Sequence, residues 1–226
     1  MRAYRGPNLR GISELEKRLL DKPDTIFAGT DEVGRGCLAG PVVAAAVIWD
    51  YGSHAAGIKD SKLLSKSKRR ELFSYILSKA RAVAVGWASP AEIDMINILQ
   101  ASQLAMARAV RGLDISPGIL LVDGNRKVSG IDMEQITIVG GDRIVLCISA
   151  ASIVAKVVRD NLMIYLDGIF PGYGFRGNMG YPTREHKEAI ARLGPTNLHR
   201  KKFKGVKEFL SDEFSVGFLH DKSTVD

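Results

Sequence analysis

Four acidic residues stand where apolar runs stop and glycine begins. Asp31 and Glu32 follow Phe27-Ala28-Gly29-Thr30 and precede Gly34 and Gly36. Asp123 ends the run Gly118-Ile119-Leu120-Leu121-Val122, with Gly124 next. Asp142 comes directly after Gly140-Gly141, which follow Ile136-Thr137-Ile138-Val139. Apolar strands ending in carboxylates put acids on the rim of a sheet, where α/β proteins build their sites. Acids gathered there repel one another and raise each other's pKa values. A hard divalent cation removes that conflict. Oxygen donors without a His/Cys set favour Mg²⁺ or Mn²⁺ over zinc. Such ions hold a phosphodiester, acidify a water and stabilise a departing oxygen. Taken singly, each acid has a plainer reading. Asp123-Gly124-Asn125 is a good turn and Asp142 a good helix cap. The joint pattern points to chemistry. Asp31 and Glu32 are adjacent, so on a regular strand they face opposite ways. Both serve one site only if the chain turns at Glu32, which Gly34 and Gly36 make feasible.

The segment Gly29 to Pro41 invites two nucleotide-binding motifs and fits neither. Gly29 and Gly34 have P-loop spacing, but Arg35-Gly36 stands where Lys-Ser/Thr is needed. Gly34-x-Gly36-x-x-Ala39 resembles a dinucleotide fingerprint, which should open a helix; here Gly40-Pro41 leads into an apolar strand. The remaining reading is a tight loop whose bare backbone lies against sugar or phosphate oxygens, with Arg35 adding charge.

The elements that must position these residues follow from periodicity. Helices are predicted over 13–20, 65–77, 96–113, 148–166 and 183–193, with a last ordered piece over 206–210. Strands are predicted over 25–31, 42–49, 82–87, 118–123 and 136–139. The run Val42 to Trp49 is almost continuously apolar, which suggests a strand covered on both faces. Met95 and Met106 occupy helical positions and are expected in the core. The fold class is therefore α/β, with a mixed five-stranded sheet flanked by helices and a helical C-terminal extension. One domain spans 1–226, with a core over about 25–165, a helical part over about 166–211 and a polar tail over 212–226.

Composition narrows the partners. The 226 residues carry 32 Lys+Arg against 25 Asp+Glu, a net charge of +7, which favours polyanions. Lys59, Lys62, Lys66, Lys68, Arg69 and Arg70 form one basic cluster. Arg200, Lys201, Lys202, Lys204 and Lys207 form another, for which a solvated face is an equal alternative. Lys156 and Arg159 are expected to face phosphates or solvent from their helix. Cys37 and Cys147 are far apart in apolar surroundings and read as buried thiols. His54, His186 and His220 are scattered and receive no chemistry. The N-terminus has no apolar leader, and the longest apolar stretch is short of the ~20 residues of a membrane span. The expectation is a cytoplasmic, monomeric protein with no membrane contact.

The motifs resemble those of prokaryotic type 2 ribonuclease H, ribonuclease HII. Thr30-Asp31-Glu32-Val33-Gly34-Arg35-Gly36 and Leu38-Ala39-Gly40-Pro41 match the family's opening signature. Asp60-Ser61-Lys62-Leu63-Leu64-Ser65, Asn97-Ile98-Leu99-Gln100-Ala101, Val122-Asp123-Gly124-Asn125 and Gly141-Asp142 follow in family order. Ala150 to Lys156, Arg159-Asp160, Gly172-Tyr173-Gly174-Phe175, Gly180-Tyr181, Leu193-Gly194-Pro195 and His199-Arg200 complete the set over 27–203. The resemblance implies a ribonuclease H-like fold and an endonuclease. It implies metal-binding, catalytic acids at Asp31, Glu32, Asp123 and Asp142, served by Mn²⁺ or Mg²⁺. It implies that Gly34-Arg35-Gly36 and Tyr181 read the ribonucleotide 2′-hydroxyl, Tyr181 also stacking on the next deoxyribose, and that Lys62 contacts phosphate. It implies RNA/DNA hybrids and duplex DNA containing single ribonucleotides as substrates. These are cut on the 5′ side by a metal-activated water, leaving 3′-hydroxyl and 5′-phosphate ends, as RNA primer removal, DNA replication and repair require. Contact with a replication clamp stays open. The chain departs from the family pattern at Cys37 (usually Pro), Asn178-Met179 (commonly His-Lys) and Lys202 (usually Ser); the departures bear on substrate grip rather than chemistry. Two other readings are a structure-specific DNA nuclease of the same fold and a non-catalytic nucleic-acid binding module.

Overall fold

The computed structural model describes residues 13–54, 57–58 and 65–210. Five strands form one sheet: β1 (Phe27–Val33), β2 (Val42–Ile48), β3 (Ala82–Ala88), β4 (Ile119–Asp123) and β5 (Glu134–Ile138), in the order β3-β2-β1-β4-β5. β1, β2 and β3 pair antiparallel as a meander, while β4 joins β1 and β5 joins β4 in parallel. The mixed five-stranded sheet is as the sequence predicts. β1 runs two residues further than predicted because its pairing with β2 continues to Val33↔Val43.

β2 is buried along its whole length, and its alternation sorts two cores. Val43, Ala45 and Val47 join one cluster, and Val42, Ala44, Ala46 and Ile48 the other. The first cluster lies under α1 (Glu14–Leu20), α2 (Lys66–Lys79) and α5 (Leu146–Ile169). The second lies under α3 (Pro90–Arg111). At Gly29 an added Cβ would stand 2.4 Å from the Cys147 carbonyl carbon, so only glycine lets α5 pack this close to β1.

α3 starts six residues before its predicted Ile96. Ser89 and Glu92 form a capping box and Pro90 opens the first turn, a start signal present in the sequence. Asn97 interrupts the helix with φ 67° and ψ 164°. Its Oδ1 accepts the N–H groups of Leu99 and Gln100 and starts the second half. Met95, expected in the core, is instead 77% exposed on the first half of the helix, whereas Met106 is buried as expected.

A third cluster belongs to the C-terminal part. α6 (Phe175–Asn178), α7 (Arg184–Leu193) and a 3-10 turn (Lys207–Phe209) surround Met163, Tyr173, Phe175, Ile190 and Val206. Leu38 and Ala39, from the loop after β1, are buried in the same cluster. Among the described residues no helix is long and apolar enough to cross a membrane.

Candidate active site

The parallel pairing of β1 and β4 sets Thr30 against Val122. The next residue on each strand is a carboxylate, so Asp31 and Asp123 leave the sheet side by side at its carboxyl edge. Asp142 lies in the short helix α4 (Gly141–Ile144). Its backbone N–H donates to Asp123 Oδ1 at 3.3 Å, and its own carbonyl accepts from Ser149 Oγ at 2.6 Å. Three segments distant in sequence thus bring four acids to one edge.

Asp31, Glu32 and Asp123 line a cavity of about 390 Å³ with Val33, Arg69, Ser152, Lys156 and Tyr181. The predicted turn at Glu32 does not occur there. β1 continues through Val33, and the chain reverses at Gly34, whose φ is +92°. Both carboxylates line the cavity nonetheless. Asp142 is buried beside Asp123 and is not among the cavity's walls.

The acids are electrostatically frustrated. Burial pushes the Asp31 carboxyl well above its ordinary value, and the charges of Glu32 and Asp123 push it further. The Ser152 hydroxyl and the Glu32 amide, 2.7 Å from Asp31 Oδ1, work against this. Burial also raises Glu32, opposed by Arg35, whose Nη1 donates to Glu32 Oε1 at 2.9 Å. A site that disfavours its own negative charges is satisfied by a cation. The donors on the cavity wall are oxygens, which suits Mg²⁺ or Mn²⁺. As they stand, no three or more Asp, Glu, His or Cys side chains among the described residues close into a finished ligand cage.

The glycine loop is held from behind. Arg200 is fully buried, and its guanidinium donates to Gly34 O (2.6 Å), Arg35 O (2.7 Å) and Gly40 O (3.0 and 3.1 Å). Burial lowers its pKa to about 10, which leaves it charged at neutral pH. Arg159, also fully buried, donates to Pro41 O, Met179 O and Ala39 O at 2.9–3.1 Å. The expectation that Arg159 faces phosphate or solvent is therefore corrected: it is fully buried and bonded to three backbone carbonyls. A Cβ on Gly34 would stand 2.2 Å from Arg159 Nε, which with its positive φ makes glycine obligatory there.

Tyr181 lines the cavity with the acids. Leu38 N–H donates to Gly180 O at 2.8 Å, joining the loop to the segment that carries Tyr181. Lys156 Nζ is 5.7 Å from the Tyr181 ring centre and paired with Asp160 at 2.7 Å, so it stays beside the cavity, where a phosphate contact is geometrically open. Lys62 falls outside the described residues. Asn178, at a departure from the family pattern, donates to Tyr173 O and accepts from Gly180 N–H, both at 2.7 Å; it shapes the turn before Tyr181.

Four residues at or behind the site carry roles not assigned from sequence. Ser152 bonds Asp31, and Arg69 reaches the cavity from α2. His186 and His199 form a buried pair with Nε2 atoms 3.2 Å apart. His186 Nδ1 meets Tyr181 O at 2.8 Å, and His199 Nδ1 accepts Thr196 N–H at 3.0 Å. Those partners assign the protons: His186 carries its own on Nδ1, and His199 donates from Nε2. A helical spacing with partners on another segment could have flagged Ser152; nothing local marks the histidines as a pair.

Comparison with known proteins shows the family and the fold. The family model described as ribonuclease HII matches residues 28–206. A ribonuclease HII of Moorella thermoacetica is 49% identical over 206 residues, covering 90% of this chain and 100% of its own. The crystal structure of ribonuclease H2 from Pyrococcus horikoshii OT3 superposes with a TM-score of 0.69 at 26% identity, covering 82% of this chain and 97% of that one. Bst-RNase HIII, solved in complex with Mn²⁺, shares the fold at a TM-score of 0.67 and 21% identity, over 82% of this chain and 69% of its own. Likeness of this extent, running through every segment that reaches the acidic edge, shows that the chain belongs to the ribonuclease HII family and is a ribonuclease H, a hydrolase acting on RNA in RNA–DNA hybrids.

Proposed function

We propose that the enzyme recognises a ribonucleotide within a duplex and cuts the strand on its 5′ side, leaving 3′-hydroxyl and 5′-phosphate ends. Long RNA/DNA hybrids and single ribonucleotides embedded in DNA are both substrates. The observation that carries this reading is the shared cavity. Asp31, Glu32 and Asp123 line it together with Tyr181, beside a loop with backbone donors to spare. Among the described residues the backbone N–H groups of Arg35 and Gly36 have no hydrogen-bond partner, and both residues are exposed. Such amides suit the 2′-hydroxyl, the group that separates RNA from DNA.

Asp31, Glu32, Asp123 and Asp142 would hold Mn²⁺ or Mg²⁺. When bound, a divalent cation supplies Lewis acidity at the phosphodiester and at the attacking water. The chain's own residues do the rest. The Ser152 hydroxyl and the Glu32 amide orient Asp31. Arg35 and Gly36 present amides to the sugar, and the Tyr181 ring offers a face to the neighbouring deoxyribose. Lys156 and Arg69 supply positive charge for the backbone on either side.

The test is a labelled DNA duplex carrying one ribonucleotide, set beside the same duplex in DNA alone. Cleavage of the first with Mn²⁺ or Mg²⁺, none with chelator, and survival of the second are expected. Equal cutting of both duplexes would overturn the assigned specificity.

A further inference from the structure

We infer that Arg200 is a positioning residue for ribose recognition: one buried guanidinium fixes the two peptide planes whose N–H groups face the substrate. The inference rests on the reading of Gly34-Arg35-Gly36 as the sugar-reading loop.

The geometry is direct. The carbonyl of Gly34 and the N–H of Arg35 belong to one peptide unit, and the carbonyl of Arg35 and the N–H of Gly36 to the next. In a planar trans peptide these two groups point in opposite directions. Arg200 Nη2 and Nη1 draw the Gly34 and Arg35 carbonyls inward, at 2.6 and 2.7 Å. The N–H groups of Arg35 and Gly36 are thereby driven outward. Two donors are aimed by one side chain that never meets the ligand.

Several features keep that side chain in place. Arg200 N–H donates to Leu38 O and Gly40 N–H to Leu198 O, each at 2.8 Å, so its backbone pairs with the end of the loop it holds. Its Nε and Nη2 share Gly40 O, and the Phe203 ring covers the guanidinium at 5.2 Å. Among the described residues it makes no ion pair within 4.0 Å. A cation desolvated without a contacting carboxylate is an expensive feature. Here its hydrogen bonds go to backbone carbonyls alone, and two of the three carbonyls, those of Gly34 and Arg35, lie on the reading loop. Lysine cannot replace the fork, since one ammonium cannot span three carbonyls in that plane. The sequence shows Arg200 only as the first member of a basic run, indistinguishable there from its solvated neighbours.

The experiment measures binding with chelator present, so that nothing is cleaved. Wild type, Arg200→Lys and Arg200→Met are titrated with a duplex carrying one ribonucleotide and with the all-DNA duplex. Wild type should prefer the first. Both variants should lose about tenfold of that preference, the worth of one well-made hydrogen bond, while affinity for the all-DNA duplex stays within about twofold. With metal, KM for the ribonucleotide substrate should rise more than kcat falls. Thermal melts establish that the variants are folded. If Arg200→Met unfolds, Arg200→Lys, which keeps the charge and part of the bonding, decides the matter. A folded variant that retains the full preference overturns the inference. So does an equal loss on both duplexes, or a failure of both variants to fold, since each marks a purely structural role. A wild type that binds both duplexes equally removes the reading of the loop, and the role of Arg200 with it.

Discussion

Asp31 is held against its own charge. It is buried, its nearest charged neighbours are acids, and its carboxyl is pushed well above the usual range. An acid raised in the folded state binds its proton more tightly there than in the unfolded chain. Its ionisation therefore removes stability as pH climbs from the unfolded value through the folded one. At neutral pH without metal, Asp31 subtracts from stability. Asp31→Asn removes that penalty together with a proposed metal ligand. The variant should melt at least about 2 °C higher than wild type in chelator, the scale of roughly 1 kcal/mol in a chain of this size. Its cleavage of a ribonucleotide-containing duplex should fall by about three orders of magnitude or more, the several kcal/mol that metal chemistry contributes. Differential scanning calorimetry and a cleavage time course check the two halves. A variant that melts lower and still cuts would remove Asp31 from the site. At this scale the acids were legible in the sequence because strand ends and glycines mark them locally. Arg159 and Arg200 were not, because a buried arginine and a solvated one look alike until the carbonyls that receive it are known. Those carbonyls lie as far as 166 positions away in the chain.

At the scale of elements, much of the sheet was readable from alternation alone. β2 shows why: an uninterrupted apolar run goes to two cores at once, and only a covered strand does that. Helix bounds were read less well where the signal was chemical rather than periodic, as at the Ser89–Glu92 capping box. Asn97 escaped because the apolar pattern runs on through it. Its positive φ with extended ψ is a region that side chains avoid, and its Oδ1 holds two amides of the following turn. Asn97→Ala keeps the strain and loses the cap. It should cost about 2 kcal/mol in denaturant unfolding, a cap's worth with added backbone strain. An unchanged midpoint would mean the break in α3 is held by tertiary packing alone. The paired histidines tie α7 to the segment 196–200, and they titrate in the opposite sense to Asp31. Burial lowers both, His199 from 6.5 to about 4. Below pH 6.5 the unfolded chain takes up a proton that the folded His199 refuses until about pH 4. Stability therefore drains as pH falls through that window. Between pH 7 and 5 wild type should lose about 2 kcal/mol more than His199→Gln, which has no proton to refuse. Parallel pH profiles from urea titrations of the two proteins would show that the pair does not stay neutral when buried.

For the whole molecule, the sequence divides a catalytic core over about 25–165 from a helical extension over 166–211. The contacts suggest that the two cannot be separated. Leu38 and Ala39 leave the sheet and bury in the third hydrophobic cluster, among side chains of α6 and α7. Gly180 supplies the carbonyl that Leu38 N–H needs, Leu198 the one for Gly40, and His199 bridges to Ala39. Arg159, inside α5, sends one of its bonds to Met179. Cutting the chain after Ile169 would strip the loop of those acceptors. It would also leave Leu38 and Met163 bare and free Arg159 of a partner while it is still surrounded by apolar side chains. Exposed apolar surface joined to a buried cation that has lost one of three acceptors is a recipe for fluctuating packing rather than a smaller native fold. A fragment ending at Ile169 should keep helical far-ultraviolet dichroism, bind a hydrophobic dye strongly and melt without a sharp transition. It should show no preference for a ribonucleotide, because the loop proposed to read the sugar is shaped by residues the fragment lacks. A fragment that melts cooperatively and still prefers the ribonucleotide duplex would mean the loop holds its form from β1 and α5 alone, and the extension would then serve only to enlarge the grip on the duplex.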